Sequence, residues 1–210
     1  MKKVVIVLAL VSGFYAAQAQ KEEREGEEKK GGFKKENMFV GGNVNLGFSN
    51  SSTVLGISPY VGYSINKYLD VAVSTNVSYI SQRDYFEYGD KIRQTIYGPG
   101  AFVRIFPFKF VFAQAQYEFN FIKYNYIPAK NSINYSAFRK GIDAGSLLVG
   151  GGYAGGREGV GSSFYYISVM WDVAGNSYSP YVDELNRSLP IIRAGYNIAL
   201  FQGGGDRRRR

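Results

Sequence analysis

The stretch "FVFAQAQYEFNF", residues 110–121, alternates with a period of two. Phe112, Gln114, Gln116, Glu118 and Asn120 form one set; Val111, Ala113, Ala115, Tyr117, Phe119 and Phe121 form the other. Such alternation predicts a β-strand with two unlike faces. In a soluble sheet the polar set would face water and the apolar set a core. In a membrane barrel the apolar set would face lipid and the polar set the lumen. The rest of the sequence has to choose between these two solvents.

Seven further segments repeat the pattern. Ahead of the opening stretch, Val40, Val44, Leu46 and Phe48 stand opposite Asn43 and Asn45. Leu55, Ile57, Val61, Tyr63 and Ile65 stand opposite Ser58, Tyr60 and Ser64. Leu69, Val71, Val73, Val77 and Tyr79 stand opposite Asp70, Ser74, Asn76 and Ser78. Tyr97, Ala101, Val103 and Ile105 stand opposite Gly98, Gly100 and Arg104. After it, Leu147, Val149 and Tyr153 oppose Ser146, Gly150 and Gly152. Tyr165, Ile167, Val169, Trp171 and Val173 oppose Tyr166, Ser168 and Asp172. Ile192, Ala194, Tyr196, Ile198 and Leu200 oppose Arg193, Gly195 and Asn197. Each segment has about the 9–11 residues with which a tilted strand crosses a bilayer. Pro59 and Pro99 fall inside two of them and mark bulges or locally unpaired positions, because proline donates no ladder hydrogen bond.

The connections also alternate. "NKY" at 66–68 and "PFK" at 107–109 are tight, and the Gly-rich stretch at 155–162 is fairly short. Residues 82–94, 123–143 and 175–188 read as long loops, while the first connection, near 50–54, is short. Long loops at one end and short turns at the other fit an up-and-down barrel of the outer-membrane kind. An even strand number puts both tails at the short-turn end, which is the periplasmic end of such a barrel.

The flanks set the compartment. Residues 1–19 have Lys2 and Lys3, an apolar run and a small-residue site, which predicts a secretory signal peptide cleaved between Ala19 and Gln20. Residues 20–37 carry six positive and six negative side chains and read as a charged, disordered periplasmic segment. Residues 38–201 are the barrel, and 202–210 a Gly/Arg-rich periplasmic tail. The formal charge of +8 includes both signal lysines, and the basic C-terminus reads as a solvated tail rather than a nucleic-acid site. There is no cysteine, so no disulfide and no cysteine-linked lipid anchor.

Several chemistries are excluded. With no histidine, no Ser–His or Asp–His catalytic arrangement exists; no spacing picks out a Ser–Lys pair either. Lacking His and Cys, the chain is a poor zinc or copper ligand. Asp84, Glu87, Asp90, Asp183 and Glu184 are loop acids that could take calcium, but no EF-hand spacing appears. "GGGYAGG" is not followed by the Lys and Ser/Thr of a phosphate loop. The expectation is no cofactor and no enzyme activity.

The lumen question turns on space. The apolar set is larger and richer in aromatic residues, the chain having 18 Tyr and 15 Phe. An eight-stranded interior only just holds its side chains. Small polar residues and glycines therefore belong inside and the apolar set outside. Arg104, Glu118, Asp172 and Arg193 then point inward, and they are expected to form a charge network, with Asp172 and Arg193 paired at similar heights. Such a network would close the lumen. Lys123, Lys130, Arg139 and Lys140, on the fifth connection, either meet anionic lipid headgroups or only keep the loop soluble.

"PYVGYSINKYLDVAVSTNVSY" (59–79), "GPGAFVRIFPFKFVFAQAQYEF" (98–119) and the terminal "RAGYNIALF" (193–201) resemble the small eight-stranded outer-membrane barrels that include the OmpA transmembrane domain. The resemblance spans roughly 38–201. It implies an all-β, eight-stranded antiparallel up-and-down transmembrane barrel, a monomer in the outer membrane of a Gram-negative bacterium. It implies outer-membrane lipid and lipopolysaccharide as surroundings. It also implies that the barrel-assembly machinery reads an assembly signal at Arg193, Gly195, Ile198 and Leu200. The chain departs from family custom in continuing past Phe201 with "QGGGDRRRR". The expected role is structural or surface-interacting, through the loops. Two other readings stand beside it: a secreted lipocalin-like barrel around an apolar ligand, and a narrow pore. The first lacks its Gly-x-Trp motif, since the sole tryptophan is Trp171; the second lacks lumen.

Overall fold

The computed structural model describes residues 33–48, 51–130, 132–183 and 185–202. The signal-peptide and cleavage-site readings (Ala19, Gln20), nearly all of the charged segment, and the tail beyond Gln202 lie outside the described residues.

Eight strands run β1 (Met38–Phe48), β2 (Ser52–Asn66), β3 (Leu69–Arg83), β4 (Lys91–Phe108), β5 (Val111–Ile127), β6 (Phe138–Gly155), β7 (Phe164–Asp172) and β8 (Ile191–Ala199). All neighbours pair antiparallel, and β8 returns to β1, so the sheet closes into a barrel in chain order. Closure pairs the backbone without leaving an open sheet edge. The start of β1, the end of β8 and the turns after β2, β4 and β6 lie at one end, here called the tail end. The connections after β1, β3, β5 and β7 lie at the other, the loop end.

Parity follows the sequence alternation. On β3, Asp70, Ala72, Ser74, Asn76 and Ser78 are buried, while Val73 is 65 % exposed and Val77 is also exposed. On β2, Ser58, Tyr60 and Ser64 are buried, and Leu55, Ile57, Val61 and Ile65 are exposed. A band of exposed apolar side chains therefore encircles the barrel.

Two expectations need correction. First, β2 to β6 are 15 to 18 residues long rather than 9–11, so the loops contract to 84–90 and 128–137. Residues such as Arg93, Lys123 and Arg139 are polar because their strands continue beyond the apolar band, not because they lie in loops. Second, the lumen is not lined by small polar residues and glycines alone. Phe39, Tyr60, Phe102, Phe106, Phe112, Phe164 and Tyr166 form a buried cluster inside its tail end. Glycines make the space: a Cβ at Gly62 would sit 2.3 Å from the Phe39 ring. Pro59 and Pro99 sit at gaps in the β2–β3 and β4–β5 ladders across which register is kept, so of the two expected alternatives they mark locally unpaired positions and not bulges.

Candidate functional site

Polarity reverses along β5. From Val111 to Phe121 the outward residues are apolar and the inward ones are Phe112, Gln114, Gln116, Glu118 and Asn120. Beyond Phe121 the outward residues are Lys123 and Asn125, and the inward ones include Ile122 and Tyr126, both buried. The same turnover occurs on β4, where Arg93 and Thr95 are exposed and Ile92 and Ile96 are buried. At the changeover, Tyr97 and Phe121 are cross-strand partners with rings stacked 5.5 Å apart.

The lumen is filled in tiers. At the tail end, the Arg104 guanidinium lies 4.4 Å from the Tyr166 ring, 4.7 Å from Phe112 and 5.0 Å from Phe102. Its Nε donates to Gln114 at 3.0 Å, while Nη1 and Nη2 have no hydrogen-bond partner and face the rings instead. Arg157, from the turn between β6 and β7, inserts beneath it. Its guanidinium stacks 3.6 Å from the Phe106 ring, donates to the Lys67 carbonyl at 3.0 Å and reaches Asp70 at 3.4 Å. Desolvation lowers the Arg157 pKa, against the opposing pull of Asp70.

In the middle tier, a ladder of side-chain amides leads from Arg104 to a buried ion pair. Gln114 donates to Gln116 and Gln116 to Glu118, each at 2.8 Å. Arg193 donates to Glu118 at 3.0 Å and to Gln116 at 3.2 Å. The Tyr181 hydroxyl donates to the other Glu118 oxygen at 2.6 Å and accepts from Asn76 at 3.1 Å. From Asn76 the chain continues through Asn120, Ser146 and Ser179 to Asp172.

Arg104, Glu118, Asp172 and Arg193 thus lie in one hydrogen-bonded system, but the expected Asp172–Arg193 pair does not form. Arg193 stands opposite Ser168, four residues below Asp172 on β7. The Asp172 carboxylate is occupied by the backbone N–H groups of Leu147 and Ala174 and by the Ser179 hydroxyl. It anchors the loop, and Glu118 takes the arginine. Tyr181 and Arg157 are the residues that sequence reading missed. Both come from connections, and no periodicity marks a loop residue that turns inward.

The loop acids are used by the protein itself. Asp90 accepts from the N–H groups of Tyr85, Phe86 and Glu87 and from the Tyr126 hydroxyl. Asp84 accepts from Gly89, Glu87 from Ala129, and Asp183 from Leu185 and Arg187. Among the described residues no cluster of three metal-ligating side chains is present. Gly195 of the expected assembly signal has a packing role, since a Cβ there would lie 2.5 Å from the Tyr166 ring. Ile198 is exposed on the outer wall, and Arg193 points into the lumen.

No family model matches the sequence, and no curated protein matches it. Solved structures similar in fold are outer-membrane barrels. Ail, the attachment invasion locus protein of Yersinia pestis, solved in complex with the heparin analogue sucrose octasulfate, aligns with a TM-score of 0.44 at 11 % identity, covering 77 % of this chain and 96 % of Ail. The N-terminal β-barrel domain of Pseudomonas aeruginosa OprF aligns with a TM-score of 0.40 at 13 % identity, covering 77 % and 94 %. The likeness is one of fold: an all-β ring of eight antiparallel strands.

Proposed function

We propose that the chain is a plugged, non-catalytic outer-membrane barrel of a Gram-negative bacterium, with its tail end in the periplasm and its contacts made through the loop end. The reversal of polarity at Tyr97 and Phe121 carries this reading. Below that level the wall presents apolar side chains outward around an interior of polar side chains and an aromatic cluster, as a lipid-facing wall allows. Above it the wall presents cations outward and isoleucines inward, as water requires. A lipocalin-like barrel around a greasy ligand would keep the second arrangement along its whole height.

The filled lumen supports a structural or adhesive role over a pore. Arg157 occupies the tail end, and Tyr181 brings the β7–β8 loop down onto Glu118. Outer-membrane lipid and lipopolysaccharide are the partners of the wall. Ring closure leaves no open edge to drive association, in keeping with a monomer. The assembly machinery would read β8 through Arg193, Gly195, Ile198 and Leu200. Deleting residues 193–201 is then expected to abolish insertion, and deleting 203–210 to leave it intact.

Fractionation of cells expressing the full chain, by carbonate wash and sarkosyl, tests the compartment. Recovery in the outer-membrane fraction with heat-modifiable gel mobility is the expected result. Recovery as a soluble protein without detergent would overturn the proposal.

A further inference from the structure

The outer face of β4, β5 and β6 just above the apolar band carries a second feature. The register sets Arg93 opposite Asn125 and Asn125 opposite Arg139. One step nearer the band it aligns Thr95, Lys123 and Gly141. With Lys140 and Tyr124, these residues line a groove of ≈ 500 Å³. Arg93, Lys123 and Arg139 share its outward face, Lys140 standing at the inward parity of Ala144, and none of the three forms an ion pair among the described residues. Asp143, the acid two residues from Gly141 on the same face, forms none either.

The floor is open, because a Cβ at Gly141 would meet nothing within 4 Å. The Lys123 ammonium is held 5.2 Å over the Tyr97 ring, at the level where the wall turns apolar. Exposed like charges repel, so this grouping gains only if a counter-charge sits among them. Arg93 and Arg139 offer planar forks suited to phosphate oxygens, and Lys123 a point charge between them.

We propose that this groove binds the phosphate of an anionic lipid in the outer leaflet, its acyl chains lying on the wall below, against Tyr97 and Phe121. The inference rests on the membrane reading above. Charge complementarity selects a phosphate, and continuity with the apolar band selects a lipid over a soluble anion. Lys130, on the loop after β5, does not line the groove, while Arg93, on a different strand, does. The site therefore comes from strand register and not from one basic loop.

The test uses the full chain folded into zwitterionic vesicles, titrated with bisphosphorylated lipid A and, separately, with its dephosphorylated form. Bound lipid is read after extraction in mild detergent, and heat-modifiable mobility checks the fold of each variant. Wild type is expected to retain the phosphorylated form selectively and to lose it at high salt. Arg93→Gln, Lys123→Gln and Arg139→Gln should each weaken retention about fivefold, following the usual contribution of one basic residue at an anionic surface. The combined triple variant should lose selectivity, and Lys130→Gln should keep it. Equal retention by the combined variant, or equal competition from soluble polyphosphate, would overturn the lipid-phosphate site while leaving the membrane reading intact. Failure of wild type to insert into any vesicle would overturn both.

Discussion

Two stretches of the same strand obey opposite rules. In β5, residues 111–121 hide Gln, Glu and Asn together with Phe112 and expose Val, Ala, Tyr and Phe119; residues 122–127 hide Ile122 and Tyr126 and expose Lys123. On the proposed membrane placement the wall below Phe121 meets lipid, and burying an aliphatic side chain in the lumen there gains little, because the alternative solvent is equally apolar. The lower lumen is therefore held by directed contacts, from Arg104 through the glutamines to Glu118 and Arg193. Above Phe121, where the same placement puts water outside, the hydrophobic effect again rewards an aliphatic interior, and there Ile96, Ile122 and Ala144 pack together. The backbone is continuous across the changeover, so on this placement the solvent outside decides which parity is buried.

The largest effect should come from breaking the polar tier. Arg193→Met leaves the Glu118 carboxylate buried without its cation and should cost about 3–5 kcal/mol, by the usual penalty for orphaning one partner of a buried pair. Urea unfolding in lipid vesicles measures it. Replacing both partners, as Glu118→Leu with Arg193→Met, should cost less than Arg193→Met alone. A double variant that falls by the sum of two large losses would show that the tier is held by more than the pair.

The wall gives the next contrast. Val73→Arg, within the apolar band, should cost about 2–4 kcal/mol, while Thr95→Arg, outward on β4 above the band, should cost about 0–1 kcal/mol. Equal costs would erase the boundary drawn at Tyr97 and Phe121. Ser74→Ala, on the lumen face of β3, should fall well below Val73→Arg.

The plug should respond next. Tyr181→Phe removes a hydroxyl that donates to a buried carboxylate, worth about 1.5–3 kcal/mol for a hydrogen bond to a charged group. Wild type is expected to show no stable conductance in planar bilayers, and Tyr181→Phe to show intermittent leak as the β7–β8 loop loosens. Large, stable conductance from wild type would favour the pore reading over the plugged one.

Strands and parity were legible because period-two alternation survives any sheet that separates two unlike solvents. Strand length was not, because Lys123 and Asn125 look like loop residues when only an apolar outward face is sought. Continued alternation with Ile122 and Tyr126 was the available signal. Inward pointing of Arg104, Glu118, Asp172 and Arg193 followed from parity alone. Their partners did not, since Glu118 and Arg193 meet across the lumen from strands 75 residues apart, and only closure and register bring them together. Tyr181 and Arg157 lie in connections, where no period constrains direction.

The smallest expected effect lies at the loop end, outside the apolar band, in residues 84–90. Burial alone would push the Asp90 carboxyl up, but the N–H groups of Phe86, Tyr85 and Glu87 and the Tyr126 hydroxyl outweigh it and hold the group below the ordinary carboxylate range. A carboxyl depressed on folding contributes stability above its unfolded pKa of about 3.9 and loses it as pH falls through the lower folded value. The order of this loop should therefore be flat from pH 7 down to about pH 4 and decline only below that. Amide chemical shifts of Tyr85, Phe86 and Glu87, followed through an acid titration in micelles, report it. Asp90→Asn should loosen the loop at every pH and remove the acid transition, because an amide offers one acceptor oxygen where the carboxylate offers two. Loosening of the wild-type loop between pH 7 and pH 5 would mean that some other group sets its order.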